Sequence, residues 1–463
     1  MHSKKRFAGT ALATVGLILA CGQSERRSIT GVRPAGGTAG SGSVGGASGE
    51  GGVSGAADPT GGSPQAGESP GEAGAGGATA AGNGGATAAG TGATGGTTSD
   101  NGGEGAGGAK AGAPSGSGGT MGGAGGSAPS EGPCDIFRDG GQPCVAAYST
   151  VRRLSATYSG PLYQIRSESS PENTGSGGQT HDVRQNDDGF ADIATIEAAC
   201  TDTLCTVSLL YDQSGNGNDL RVAKAGIMAA GPHAATDDFE SVATKGALKV
   251  AGHDVFGLYM EPRQGYRLPA RGSGVPYREA AQGIYLLADG TRSATGCCWE
   301  FGNVGLLRTF TEPVTLFYGI ETGNRGAGEG PWFMADFGAG VWAGGSEPGD
   351  PGWGAGSTGS PAAPNPENPS MPSSFALGFL KTDANDYALR MADVTTATSL
   401  ITAYRGSLPQ RVLLGGSVVL GVSTENANAS WGTFYEGAVI AGFPADGTEQ
   451  AILENIRAAG YGH

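Results

Sequence analysis

The sequence of 463 residues contains 89 glycines and carries a formal net charge of −15. Residues 31–130 hold 38 of those glycines and lack Phe, Trp, Tyr, Leu and Ile, so this segment has too little apolar surface to form a core. The remaining segment, 133–463, is long enough for one large domain. Its acidic character argues against nucleic-acid binding, because like charges repel the phosphate backbone.

The N-terminus has the pattern of a secretory signal. Lys4, Lys5 and Arg6 precede an apolar run over 11–20, which is about half the length that spans a bilayer. The segment 18–22, Ile-Leu-Ala-Cys-Gly, resembles a bacterial lipobox, in which the cysteine is lipidated. We therefore predict a lipoprotein signal peptide over 1–20 and a lipid at Cys21 that is the protein's membrane attachment. The protein is then secreted and anchored at the bacterial cell envelope; an ordinary signal peptide with an incidental cysteine is the alternative.

Residues 21–132 form the next segment, which is rich in Gly, Ala, Ser and Thr. A flexible chain of about 110 residues has a root-mean-square length on the order of 55–60 Å. This composition predicts a disordered linker that carries the domain at 133–463 away from a membrane surface.

Within the domain, short runs bounded by Gly, Pro, Asn and Asp predict strands over 206–211, 283–288, 314–320, 332–337, 375–381, 388–391, 412–422 and 433–443. Helices are predicted over 190–199 and 448–459, the second starting at a capping box formed by Asp446 and Glu449. The segment 343–372 is predicted to be a loop. Many strands without alternating helices indicate an all-β fold, a β-sandwich of the jelly-roll (concanavalin-like) type with short helices.

Six cysteines fall in the domain, and their spacing favours three local disulfides: Cys134–Cys144, Cys200–Cys205 and Cys297–Cys298. Adjacent Cα atoms lie about 3.8 Å apart, below the usual disulfide range, so the last pair would distort its peptide; two free buried thiols are the alternative. No histidine stands at a ligand spacing from a cysteine, and we expect no metal or cofactor. Asp212 to Asp219 is interpreted as a turn, because the twelfth position of a calcium loop would be Ala223.

Several segments, in this order, resemble the catalytic domain of the arabinofuranosidase B family (glycoside hydrolase family 54): Pro-Cys-Asp-Ile-Phe at 133–137, Tyr-Asp-Gln-Ser-Gly-Asn-Gly-Asn at 211–218, Gly-Cys-Cys at 296–298, Gly-Pro-Trp at 330–332 and Gly-Thr-Phe-Tyr-Glu-Gly at 432–437. The resemblance implies a β-sandwich with three local disulfides. It also implies release of terminal α-L-arabinofuranosyl units from arabinan or arabinoxylan, an activity of L-arabinose metabolism. We expect an arabinose-containing polysaccharide as the partner, and a monomer.

The resemblance also assigns site residues. The catalytic acid/base position is Glu425, where the family has Asp, and Thr424 and Asn426 beside it are assigned to substrate binding. Asp336 is the sugar-binding carboxylate, with a structural capping role as the alternative. Cys297 and Cys298 form an apolar ledge against the sugar, or serve structure alone.

The nucleophile position of this retaining family is occupied by Gly338, which has no side chain to form a glycosyl-enzyme. Three hypotheses follow. In the first, Asp336 and Glu425 act as a more widely spaced catalytic pair in an inverting mechanism, since alternation along a strand puts 336 and 338 on one face. In the second, the domain is a catalytically impaired arabinan-binding module. In the third, it is an envelope protein without a sugar role.

Further acids and aromatics near the site are also candidates. Loop acids are candidate replacement nucleophiles: Glu312, Glu321 and Glu329. Trp299 is expected to line the cleft, and Trp332 to pack in the core.

Overall fold

The computed structural model describes residues 126–225, 236–296, 298–305, 313–321, 326–338, 340–352, 363–423 and 430–462. The predicted signal peptide, Cys21, most of the predicted linker, Cys297, Glu312 and residues 424–426 lie outside the described residues. Within the described ranges, no helix is both long and apolar enough to cross a membrane.

The described residues form three helices and 23 strands. In chain order they are α1 (Pro133–Asp139), β1 (Cys144–Ser149), β2 (Tyr163–Ser167), β3 (Gln179–Val183), α2 (Ala194–Ala199), β4 (Thr206–Leu210), β5 (Leu220–Val222), β6 (Ala247–Val250), β7 (His253–Phe256), β8 (Leu258–Met260), β9 (Tyr266–Arg267), β10 (Tyr277–Arg278), β11 (Gln282–Ala288), β12 (Glu300–Val304), β13 (Val314–Gly319), β14 (Gly326–Ala327), β15 (Trp332–Asp336), β16 (Val341–Trp342), β17 (Asn365–Pro369), β18 (Ala376–Thr382), β19 (Asp386–Asp393), β20 (Ile401–Ser407), β21 (Leu414–Gly415), β22 (Ser417–Leu420), β23 (Gly432–Ala441) and α3 (Asp446–Ala458).

Two large sheets pack face to face, as the predicted β-sandwich requires. One has the strand order β1-β23-β11-β18-β19-β20, with β8 added to β23; the other has the order β16-β15-β13-β12-β22-β9-β5-β4-β2-β3. Aromatic side chains join them: the rings of Tyr148 on β1 and Phe301 on β12 meet edge to face at 6.2 Å. Gly378 on β18 leaves room for the ring of Phe333 on β15. The core therefore lies between the sheets.

Side-chain alternation gives the ten-stranded sheet a second face. Phe301, Leu316 and Phe333 point into the core, so their strand neighbours point away from it. We call the face opposite the core the outer face. Glu300, Thr315 and Asp336 lie on it.

Most predicted strands are present with ends shifted by one or two residues. The strand predicted over 412–422 is interrupted at Gly416, whose φ of +79° separates β21 from β22. The predicted loop at 343–372 contains β17, which pairs with β14. The first predicted helix is shorter than expected, because the Asn186 side chain accepts hydrogen bonds from the backbone of Asp188 and Phe190 and holds a turn there.

The predicted capping box of the last helix is wrong. Helix α3 begins at Asp446 with Ala445 as its N-cap. The Asp446 carboxylate instead accepts a hydrogen bond from Lys381 Nζ at 2.7 Å, because that buried cation needs a partner. Glu449 is turned to the same cation, at 3.1 Å.

Two predicted disulfides are confirmed, Cys134–Cys144 and Cys200–Cys205, with Cα separations of 5.4 and 5.7 Å. Cys298 is also disulfide-bonded, so the free-thiol alternative is wrong for it. Its partner falls outside the described residues, and the pairing with Cys297 stays a prediction.

Residues 126–132 contact the domain, although their composition belongs to the linker. Gly126 N–H donates to the Ala251 carbonyl at 2.8 Å, and Ser127 Oγ donates to Asp188 at 2.7 Å. The Glu131 carbonyl accepts a hydrogen bond from Asn455 on α3 at 2.7 Å.

Candidate active site

The site is built on β15, whose residues alternate between the core and the outer face. Phe333 and Ala335 are buried in the core, while Trp332 and Met334 pack with Phe317 in a small apolar cluster on the outer face. The strand ends at Asp336, which is 5% exposed. The cluster thus supports the sheet beneath a carboxylate at the strand end.

Hydrogen bonding and packing fix the Asp336 carboxylate. Its Oδ1 accepts a hydrogen bond from the Gly338 N–H at 2.6 Å, and its Oδ2 lies 4.0 Å from Cys298 Sγ. Because Cys298 is in a disulfide, its sulfur has no hydrogen to donate, so this contact is packing. The predicted sulfur ledge and the predicted sugar-binding carboxylate are therefore adjacent, at least at Cys298.

A second carboxylate lies beside the first. Glu300 begins β12, is fully buried, and accepts a hydrogen bond from Thr315 Oγ1 at 2.8 Å. A carboxylate oxygen of Glu300, one of Asp336 and Cys298 Sγ all lie within 4.8 Å of one another. Sequence analysis missed Glu300, which begins β12 two residues after Cys298.

These three groups do not fit a metal ion. A disulfide sulfur is not a thiolate ligand, which leaves two carboxylates among the described residues. Calcium needs six to eight oxygen ligands and a structural zinc site needs four ligands, so the donor set falls short. Two carboxylates this close repel each other when both are ionised, and one proton held between them relieves the repulsion. The arrangement is suited to proton transfer.

Gly338 lies beyond the end of β15, in a bend with φ of +83°. The prediction that 336 and 338 share a strand face is therefore wrong, because the strand ends at 336. Ala339, the next residue, lies outside the described residues.

The other candidates are mostly placed elsewhere. Trp299 is buried in the core against Gly432, so the prediction that it lines the cleft is wrong. Trp332 is buried as predicted, and its Nε1 donates to the Ala327 carbonyl at 2.9 Å. Glu321 follows the far end of β13, about 20 Å along an extended chain from Thr315, and is too distant to replace the nucleophile. Glu329 is exposed and precedes β15 at that same far end, so it is excluded for the same reason.

The segment from Asp212 to Asp219 is a turn, as predicted. Both Asp212 oxygens accept hydrogen bonds, Oδ1 from the Ala147 and Ser214 N–H groups and Oδ2 from Ser214 Oγ and the Asn218 N–H. The Asp212 carboxylate therefore stabilises the turn through these hydrogen bonds.

Comparison with known families identifies the family to which the domain belongs. A family model described as alpha-L-arabinofuranosidase B, catalytic, matches residues 133–462. The chain belongs to the arabinofuranosidase B catalytic-domain family. The match includes the strands that carry Glu300, Thr315 and Asp336.

Curated relatives of this family are similar over the same part of the chain. A probable alpha-L-arabinofuranosidase B of Aspergillus flavus is 35% identical over 343 residues, which is 71% of this chain and 62% of that protein. An arabinofuranosidase/B-xylosidase of Trichoderma koningii is 36% identical over 342 residues, 71% of this chain and 63% of that protein. The chain thus spans less than two thirds of the length of these relatives.

Solved structures of arabinofuranosidases are also similar. One soaked with a cyclic sulfate inhibitor has 31% identity and a TM-score of 0.62, over 71% of this chain and 65% of that one. Another, complexed with arabinofuranosyl-alpha-1,2-xylobiose, has 32% identity and the same TM-score and coverage. This likeness agrees with the all-β sandwich described above.

Proposed function

We propose that this chain is a glycoside hydrolase that releases terminal α-L-arabinofuranosyl units from arabinan or arabinoxylan. The observation that carries the proposal is the pair of adjacent buried carboxylates, Asp336 and Glu300, beside the Cys298 disulfide. Family membership supports the same substrate class, because the similar proteins are named arabinofuranosidases.

The proposed reaction inverts the configuration at the anomeric carbon. Asp336 takes a proton from a water molecule, whose oxygen attacks that carbon. Glu425 donates a proton to the glycosidic oxygen as its bond to the anomeric carbon breaks on the opposite side. Gly338 cannot act as a nucleophile, so no covalent glycosyl-enzyme forms there. The N–H that Gly338 donates to Asp336 orients the base and stabilises its ionised form.

Glu300 has a positioning role in this proposal. The Thr315 hydroxyl donates a hydrogen bond that holds Glu300 in place, and a Glu300 carboxylate oxygen lies within 4.8 Å of one of Asp336. When Asp336 accepts the proton from water, the repulsion between the two groups falls, which favours that step.

A second candidate function is an arabinan-binding module without turnover. The replacement of the nucleophile by Gly338, in a bend of positive φ, favours it. In that case the Cys298 ledge and Asp336 would bind the sugar ring and no bond would break.

Hydrolysis of 4-nitrophenyl α-L-arabinofuranoside by the full chain separates these functions. We expect turnover with an inverted product by NMR, and a loss of at least about 100-fold in Asp336→Asn and in Glu425→Gln, because general acid–base catalysis contributes on that order. Asp254→Asn is the matched control, since its side chain is 65% exposed. A retained product would contradict the proposed path. Sugar binding without turnover would support the binding module, and no binding at all would support an envelope protein without a sugar role.

We further propose that the domain is anchored by a lipid at Cys21, following the lipobox-like segment. Metabolic labelling with a fatty acid should mark the wild-type protein and not Cys21→Ser, and the variant should appear in the soluble fraction. Equal labelling of both proteins would contradict the anchor.

A further inference from the structure

The outer face of the ten-stranded sheet carries a row of residues in which each lies directly opposite the next. From the candidate site outward, the row is Asp336, Thr315, Gly302, Val419, Arg267 and Arg221. Arg221 is exposed while Leu220 and Val222 beside it are buried, which places its side chain on the outer face. With strands 4.7–4.9 Å apart, five steps put the Arg221 backbone about 24 Å from that of Asp336.

A cavity of about 200 Å³ lies beside Arg221, between residues 217–219 and 268–272. Arg221 and Arg271 are its basic lining residues, and both are exposed. Asp219 also lines it and is an opposing charge; its Oδ1 accepts a hydrogen bond from the Asp212 N–H at 2.9 Å. The Arg221 side chain, which lies on the outer face, is thus part of the cavity lining.

Hydrogen bonds hold the two walls of this cavity together. Asn218 donates from Nδ2 to the Ser273 carbonyl at 2.8 Å and accepts at Oδ1 from the Ser273 N–H at 2.8 Å. The Gly272 N–H donates to the Gly416 carbonyl at 2.8 Å. The site is therefore formed before any ligand binds, which lowers the entropic cost of binding.

Two arginines and one aspartate line the cavity, so its lining carries a net positive formal charge. Arg221 lies directly opposite Arg267, an arrangement that is destabilising for like charges on adjacent strands. Neither Arg221 nor Arg271 makes an ion pair with a carboxylate within the described residues. Arg271 lies 4.6 Å from the centre of the Tyr277 ring, a cation–π contact that orients it. The hydrogen bond and charge of Arg278, together with the charge of Arg271, hold the pKa of Tyr277 below its ordinary value, so the local potential is positive.

We infer that this cavity is an accessory subsite that binds the carboxylate of a uronic acid residue in the polysaccharide substrate. A guanidinium group donates two parallel hydrogen bonds to a carboxylate, and two guanidinium groups line the cavity. The inference rests on the proposed function, because that function supplies the polysaccharide to which the uronic acid residue belongs. A sugar chain held at Asp336 would reach the cavity along the same sheet face. The net charge of −15 repels polyanions at long range, so the carboxylate is held by local contacts.

Binding of tetragalacturonate to the full chain, measured by calorimetry at low salt, tests the subsite. We expect binding that is weakened at least fivefold in Arg221→Gln and in Arg271→Gln, and more in the double variant. Arg138→Gln is the matched control, because it removes an exposed arginine on α1 that is already paired with Asp135 and Asp139. Added salt should weaken the wild type more than the double variant.

Three outcomes would overturn the inference: no binding of tetragalacturonate, equal binding by wild type and Arg221→Gln in variants with unchanged melting temperature, or an equal loss in Arg138→Gln. Competition by inorganic sulfate at similar concentration would also overturn the uronic acid assignment, by showing a general anion site. Hydrolysis of the uncharged aryl arabinofuranoside tests the proposed function separately. A protein that binds tetragalacturonate and fails to hydrolyse that substrate would therefore refute only the proposed function.

Discussion

The carboxylate oxygens of Glu300 and Asp336 lie within 4.8 Å of each other although their strands are not adjacent. Strand β13 separates β12 from β15, and the two side chains meet over Thr315. A carboxylate pair is thus assembled on the outer face although Gly338, at the predicted nucleophile position, has no side chain to contribute.

Glu300→Gln should change the pH profile of hydrolysis and not merely its rate. The amide keeps the shape and the hydrogen bond from Thr315, but removes a negative charge beside Asp336. Because a like charge disfavours ionisation, its removal lets Asp336 ionise at lower pH, and the acid limb of kcat/KM should move to lower pH. Thr315→Val serves as a comparison that disturbs the same contact without changing charge. An unmoved acid limb in Glu300→Gln would show that Glu300 has only a structural role.

Gly338→Glu should not restore a retaining enzyme. A residue with a Cβ at φ of +83° costs about 1–2 kcal/mol, and the backbone here has left the strand that would direct the side chain. Urea denaturation should show a similar loss of stability in Gly338→Glu and Gly338→Ala, since the cost comes from the backbone. Turnover with retention of configuration in Gly338→Glu would contradict this expectation.

Glu436→Gln should be strongly destabilising. Arg152 and Glu436 form a bidentate pair at 2.7 and 2.8 Å with both side chains fully buried, and Tyr461 donates to the same carboxylate at 2.8 Å. Burial alone would lower the pKa of Arg152, but the adjacent Glu436 charge and hydrogen bonds raise it above its ordinary value. Removing the charge leaves a buried cation without its counterion, at a cost of about 3–5 kcal/mol.

The measurement for Glu436 is urea denaturation, with Glu261→Gln as the control. Glu261 pairs with Lys245 at the surface, where the two side chains are 40% and 43% exposed, so its loss should cost no more than about 1 kcal/mol. Equal effects of the two substitutions would contradict the assignment of Glu436 to the core.

Asp135 should make the domain sensitive to acid. Burial opposes ionisation of this carboxylate, but the N–H groups of Ala156 and Gly132, with Ser155 and Arg138, hold its pKa below the unfolded value of 3.8. A lowered folded pKa means that the stabilisation is complete above about pH 4 and is lost as pH falls through the folded pKa. The urea midpoint of wild type should therefore exceed that of Asp135→Asn at neutral pH, with a gap that narrows below about pH 4. A gap that is constant with pH would contradict this linkage.

The strands at 283–288 and 433–443 were predictable because their apolar runs are bounded by Gly, Pro and Asp. The site was less accessible to sequence reasoning. Glu300 is a charged residue in a strand too short for its alternation to stand out, and its burial depends on β13 and β15 packing beside it. Asp446 has the pattern of a cap, yet the buried Lys381 on a distant strand takes its carboxylate. Trp299 follows Cys298, but its side chain packs in the core against Gly432 on β23. In each case a partner far along the chain decides.

The contacts of residues 126–132 determine how the domain responds to a mechanical load. A force applied to the chain on the N-terminal side acts first on the hydrogen bonds of Gly126 and Ser127, which can break one at a time. The load next reaches Cys134, whose covalent bridge to Cys144 passes it to the edge strand β1 of the seven-stranded sheet. Glu300 and Asp336 lie in the other sheet, so this path carries tension along the chain away from the candidate active site.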